Sequence, residues 1–184
     1  MAATSAAPAA RREVTLDGLL FGAAAFFAVA VLVHNSDHLR RGADAVKLDV
    51  FWIGSAAIFL EVGLVVLAVA RHRIAPLASA LVGSGLAAGY LLVHFLPARS
   101  WLSDSFTSAV NVSPLSWFAA SLEVAAAVAL ATAGLIVLRR RGGVASAREP
   151  NPEERPLAEA VRHPLSLAMI VGNAIILTAS IAQL

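Results

Sequence analysis

Gly18 to Val33 is sixteen consecutive residues without one polar side chain. Four further apolar runs follow: Phe51–Ala70, Pro76–Leu96, Pro114–Leu138 and Pro164–Leu184. Crossing the hydrocarbon core of a bilayer takes about 20 mostly apolar residues in a helix. Helices and closed barrels alone satisfy their backbone hydrogen bonds in lipid. The runs therefore predict five transmembrane helices. Runs two to five have the length outright, whereas the first reaches it only if its helix continues into the polar stretch His34–His38.

Composition agrees. Only 14% of the residues are charged and the mean hydropathy is +0.77, against roughly a quarter charged in a soluble domain. The fold class expected is an all-α integral membrane protein. The absence of cysteine removes disulfides, thiolate metal sites and iron–sulfur clusters from consideration. Lys47 is the single lysine, and the arginines flank the apolar runs instead of forming a patch. That distribution reads as a topology signal and excludes nucleic acid as the expected partner, leaving the lipid bilayer.

Arg11 and Arg12 precede the first run, Arg71 and Arg73 follow the second, and Arg139, Arg140 and Arg141 follow the fourth. Positive flanks stay on the cytoplasmic side. The expected topology is a multi-pass cell-membrane protein with its N-terminus cytoplasmic and its C-terminus outside. Trp52, Trp101 and Trp117 then all fall at the outer boundary. Arg11 and Arg12 before an apolar stretch also resemble the start of a signal peptide, with Ala28-Val29-Ala30 as a loose cleavage site.

An internal duplication argues against cleavage. The first and third runs end in Leu32-Val33-His34 and Leu92-Val93-His94, and the second and fourth carry Leu60-Glu61-Val62 and Leu122-Glu123-Val124. Each second helix begins near a tryptophan and leaves through an arginine-rich triplet. Because the third run is internal, its counterpart is expected to be retained. The expected organisation is a cytoplasmic tail over 1–17, then a four-helix bundle over 18–141 made of two parallel helical-hairpin repeats, 18–73 and 76–141. A cytoplasmic linker over 142–163 and a fifth transmembrane helix over 164–184 complete it.

The chemistry-bearing residues cluster near the outer ends. On a helix continued past Val33, His34, Asp37 and His38 share one face at i, i+3 and i+4. Glu61 and Glu123 sit within membrane helices, where an ionisable side chain costs at least about 2.5–3.5 kcal/mol, so both should face the interior. A contact between Glu61 and His34 is expected, and one between Glu123 and His94 needs a water or a tilt. The tentative metal-ligand set is His34, Asp37, His38, Glu61, His94 and Glu123. Imidazole and carboxylate donors suit zinc, copper, iron or manganese, and two symmetry-related histidines could instead hold haem b.

The biochemical role is not determined by these features. The leading expectation is a membrane protein that binds a metal or haem through this His/Glu cluster. The alternatives are a non-catalytic accessory or scaffolding subunit, in which the same residues are interhelical packing pairs, and a small proton-coupled transporter. No nucleotide-binding loop, Ser/His/Asp arrangement or zincin helix is present to indicate an enzyme. His38, Arg40 and Arg41 also read as a solvated flank, and His72 and His163 carry no assigned role.

Several packing features complete the reading. Gly18-x-x-x-Gly22 and Gly85-x-x-x-Gly89 offer small faces through which helices 1 and 3 could approach each other, or a homo-oligomer or partner membrane subunit could dock. The loop Pro97–Pro114 predicts a short interfacial helix over the outer mouth. Asn151-Pro152-Glu153-Glu154 reads as the start of a linker helix with Leu157, Ala158 and Val161 on its apolar face. The fifth membrane helix is expected to seal the bundle or meet a partner.

Overall fold

The computed structural model describes residues 6–42, 45–97 and 101–184, with side chains from Leu16 onward. The expectations that rest on Arg11 and Arg12 lie outside the described side chains. Every regular element among the described residues is helical: α1 (Ala6–Arg41), α2 (Leu48–Val69), α3 (Ala75–Tyr90), α4 (Pro114–Arg141), α5 (Leu157–Arg162) and α6 (Pro164–Ile181). A π turn, Leu91–Phe95, extends α3, and a 3-10 turn, Val144–Arg148, follows α4. Five stretches are long and apolar enough to cross a membrane: Leu16–Arg41, Leu48–Val69, Ala75–Phe95, Pro114–Arg141 and Pro164–Ile181. The first does run through His34 and His38, as its length requires.

Helix α4 lies between α1 and α3 and packs extensively on both, while α2 and α6 lean on α1 and on each other. The α1 face is Leu20, Ala24, Phe27, Ala28 and Val31, all buried at the spacing of one helical stripe. It shares one core cluster with buried alanines of α4, Ala126, Ala127 and Ala133. Small side chains there let backbones close in. The tightest approach is between α3 and α4. A Cβ on Gly134 would lie 2.5 Å from the Pro76 carbonyl oxygen and 2.8 Å from Ala80 N, and one on Gly83 would lie 3.2 Å from Ala131 N.

The small-residue faces expected to pack are therefore not the ones that do. Cβ atoms on Gly18, Gly22, Gly85 and Gly89 would meet nothing within 4 Å. The glycines that matter sit in no GxxxG pair, because the contact is made with alanine and serine on the facing helix. Nor do α1 and α3 run along one another, since α4 separates them over most of their length. Helix α6 docks on α1 through a polar clasp in which Asn35 Nδ2 donates to Asn173 Oδ1 at 2.7 Å and Asn173 Nδ2 donates to the Met169 carbonyl at 2.9 Å.

At the end away from the histidines, Arg141 donates to buried Asp17 at 2.8 Å, tying α4 to α1. The segment after α4 is fastened to the α2–α3 turn. Arg155 N donates to the Ala70 carbonyl, Asn151 Nδ2 to the Arg71 carbonyl, and Arg71 pairs with Glu153 at 3.0 Å. This corrects the linker helix expected from Asn151. Asn151 accepts from Glu153 N in a local turn, and the helix begins only at Leu157. Its buried residue is Ala160, whereas Leu157, Ala158 and Val161 are exposed.

Candidate metal centre

The histidine cluster is built by two helix endings of different kinds. Helix α1 stays α-helical to Arg41, so His34 and His38 stack one turn apart. Helix α3 widens into the π turn over its last five residues, Leu91–Phe95, which carries His94 inward to 4% exposure. Single π turns inside α-helices are frequent at functional sites. The three rings meet: His34 and His38 edge to face with centroids 4.5 Å apart, His34 and His94 at 4.8 Å, and His38 and His94 at 5.5 Å. One ring nitrogen from each lies within 4.8 Å of those of the other two.

His34 Nε2 and His38 Nε2 are 2.9 Å apart, a hydrogen bond in which one ring donates to the other. The Nδ1 atoms of both rings have no hydrogen-bond partner. Glu123 Oε2 lies 3.5 Å from His34 Nε2, within ion-pair range but outside hydrogen-bond geometry. On the third ring, His94 Nδ1 faces the backbone carbonyl of Asp104 at 3.3 Å. A carbonyl only accepts, so Nδ1 carries the proton and Nε2 is left with its lone pair. This is the support that metal-ligating histidines usually have on the far ring nitrogen.

Asp104 comes from the loop after α3, and its position overturns the reading of that loop. Instead of a helix on the headgroups, residues 103–106 fold inward and are buried, and no helix forms among the described loop residues. Asp104 N and Phe106 N donate to the carbonyls of Val93 and His94, satisfying acceptors that the end of the helix leaves free. Phe106 stacks at 4.7 Å from His94 and carries Arg41 over its other neighbourhood, 5.2 Å from ring centre to guanidinium. Arg41, expected to be solvated, is 2% exposed and holds Asp104 by two bonds of 2.7 and 3.0 Å. Its burial follows from the loop: an inward carboxylate needs a cation, and the end of α1 supplies it.

The remaining expected ligands are placed as follows. Asp37 is buried on the same helix but turns to Arg40, at 2.8 Å. Arg40 in turn reaches the Asn111 carbonyl, Ser113 and Ser116 at the start of α4. Glu61 lies deeper, about 20 Å from the start of α2 at Leu48, and accepts from the Tyr90 hydroxyl at 2.6 Å. The expected Glu61–His34 contact is thus replaced by Glu61–Tyr90, and His34 meets the glutamate of the other helical pair, Glu123. Sequence reasoning missed Asp104, Arg41 and Tyr90. An aspartate within an apolar-serine loop and a lone tyrosine in a membrane helix are the signals that mark the first and last.

His34, His38, His94, Glu61, Tyr90 and Glu123 all line one cavity of about 610 Å³. No protein-family model, characterised protein or solved structure matches this chain. The functional reading therefore rests on the chemistry of the cluster.

Proposed function

We propose that this multi-pass membrane protein binds a divalent first-row transition-metal ion, with His34, His38 and His94 as nitrogen ligands and Glu123 as an oxygen ligand. The observation that carries the reading is the convergence of three imidazoles from two helices within 4.8 Å, in a buried place where the structure supports His94 from behind. Two ligands of a tetrahedral zinc ion at about 2.0–2.1 Å lie about 3.3–3.4 Å apart. The nitrogens, at up to 4.8 Å, must draw in by about 1.4 Å, a shift within reach of side-chain rotations. Imidazole with carboxylate and no thiolate fits zinc, copper, iron or manganese. In this reading Asp37 and Glu61 serve the surroundings, held by Arg40 and Tyr90.

Haem fits less well. Its two axial imidazoles lie on opposite faces of a macrocycle, whereas the His34 and His94 rings touch edge to face with a third imidazole against both.

The site belongs, in this reading, to the outer leaflet of a cell membrane. Arg71, Arg73, Arg139, Arg140 and Arg141 all flank the opposite ends of their helices, and basic flanks are retained inside. The N-terminus is then cytoplasmic, the linker 142–163 is cytoplasmic, and the C-terminus is outside. The two-repeat organisation, 18–73 and 76–141 with 164–184 appended, is supported by burial at all four matched ionisable positions: His34, His94, Glu61 and Glu123.

The test is metal analysis of the purified protein together with its visible spectrum. About one transition-metal ion per chain is expected, lost in His34→Ala and in His94→Ala. A Soret band would replace the ion by haem. A protein that is metal-free after loading with each of the four ions would leave these residues as packing pairs of an accessory subunit.

A further inference from the structure

The cavity is more than a metal pocket. It lies chiefly between α2 and α3, which pack far less closely than α3 and α4, and Ile176, Leu177 and Ser180 of α6 also line it. Its walls away from the histidines are apolar or bare: Phe51, Ala57 and Ile58 on one side, Leu86 and Leu92 on the other. Three glycines face it, Gly54 from α2 and Gly85 and Gly89 from α3, each with open space where a Cβ would stand. Gly85 is exposed although it is far inside a membrane-length helix, about 15 Å from Phe95, and Gly54, about 9 Å from Leu48, is exposed as well. A gap exposed at that depth opens sideways into lipid, not into water.

At the polar end of the same cavity several buried polar atoms lack a partner. Glu61 Oε2, Glu123 Oε2 and Ser103 Oγ are buried without partners, and all three residues line the cavity. A buried carboxylate oxygen left unpaired carries its full desolvation penalty. Water could serve those oxygens but gains nothing from the apolar walls. Ligand pockets typically combine about 300–1,000 Å³ of mostly apolar lining with a few convergent polar groups, and 610 Å³ is within that range.

We infer that this cavity admits a membrane-dissolved amphiphilic alcohol through the α2–α3 gap, its chain along the glycine-lined walls and its hydroxyl donating to Glu61 or Glu123. The chain length sets entry from the bilayer, and the donor sets orientation beside the histidine cluster. The inference goes beyond metal binding and does not require an ion to be present.

The test uses the full chain in liposomes with hexadecanol carrying a diazirine near its tail, photolysed and mapped by peptide mass spectrometry. Labelling is expected on the peptides containing Gly54–Ile58 and Gly85–Leu92. Gly89→Leu, which fills open space, should lower it at least ten-fold while metal content stays at the parental value. Gly54→Leu fills the cavity from the opposite wall and serves if Gly89→Leu fails to insert. Unlabelled hexadecanol should compete, and its methyl ether, which has no donor, should compete at least ten-fold less well. Equal labelling of the parent and both filled variants overturns the inference, and so does equal competition by the ether. A protein that binds no metal but labels as expected would sink the metal reading and leave this one standing.

Discussion

Asp104 holds Arg41 by both carboxylate oxygens, at 2.7 and 3.0 Å, and the side chains of both are almost completely buried. Breaking a buried pair from one side strands the other charge, at about 3–5 kcal/mol. The same loop residue supports His94 Nδ1, and loss of such outer support typically costs 10–100-fold in metal affinity. Asp104→Ala strands Arg41 and is therefore expected to lower thermal stability in detergent and, by releasing the loop whose backbone carbonyl faces His94, metal affinity. Asp104→Asn, which keeps an acceptor for Arg41, should lose less of each. Competition with a coloured chelator measures the second effect, and an unchanged affinity in Asp104→Ala would separate the loop from the site.

His34 and His94 should behave as one unit. Residues that share a ligand are non-additive: with either gone, removing the other adds little. The double-mutant cycle His34→Ala and His94→Ala is read by melting temperature with and without chelator. Parental protein should lose stability when chelated, and the three variants should be indifferent. Additive losses that ignore the chelator would rule out a shared ion. Because imidazole binds a metal only when neutral, acidification should release the ion from the parental protein, followed as free metal against pH.

The two glutamates distinguish burial from binding. Glu61→Leu with Glu123→Leu replaces buried polar groups by apolar ones of similar size, which is often neutral or stabilising. Insertion should hold, and melting temperature should hold or rise relative to the chelated parental protein, while metal stoichiometry falls through loss of the Glu123 oxygen. A double variant that retains a full ion would remove Glu123 from the ligand set.

Gly134→Ala is expected to destabilise by about 1–3 kcal/mol, the usual cost of overpacking, because its Cβ would meet the Pro76 carbonyl at 2.5 Å. Gly18→Ala and Gly22→Ala meet nothing within 4 Å and should be neutral by the same denaturation assay. Destabilisation at Gly18 or Gly22 would indicate a second chain packed on that face.

Orientation is open to a direct experiment, since the chain has no cysteine to interfere. Thr107→Cys and Ala145→Cys place single thiols at exposed positions on opposite ends. Thr107→Cys should react with an impermeant reagent added to intact cells, and Ala145→Cys only after lysis. The reverse pattern would turn the histidine cluster toward the cytoplasm.

What the sequence made legible follows from where the physics is local. The five spans could be read because length and apolarity alone decide whether a helix suits a bilayer. The convergence of His34 with His38 followed from a spacing of four. The partner of Glu61 could not be read, since Tyr90 is adjacent only once α2 and α3 are set side by side. The inward fold of residues 103–106 was hidden for a similar reason. Serines and an aspartate in a loop read as solvated until Arg41 and the free carbonyls of Val93 and His94 are placed beside them. The GxxxG pairs misled because that spacing reports a small face without saying what lies opposite, and Ala127, Ala131 and Ser79 supplied the true close contacts.

The π turn at Leu91–Phe95 makes the aim of His94 a matter of counting. A residue added to or removed from an α-helix turns everything beyond it by about 100°. A π turn holds one residue more than the α turn it replaces, so deleting one residue from Leu91–Val93 and relaxing to α geometry would leave the imidazole aimed nearly as it is, whereas adding one residue there would swing it away from His34 and leave composition almost untouched. A chain with every apparent ligand and one extra residue in that stretch would be a different molecule in function. Comparison of such chains should therefore begin with the spacing from Gly89 to His94, before asking whether the histidine itself is there.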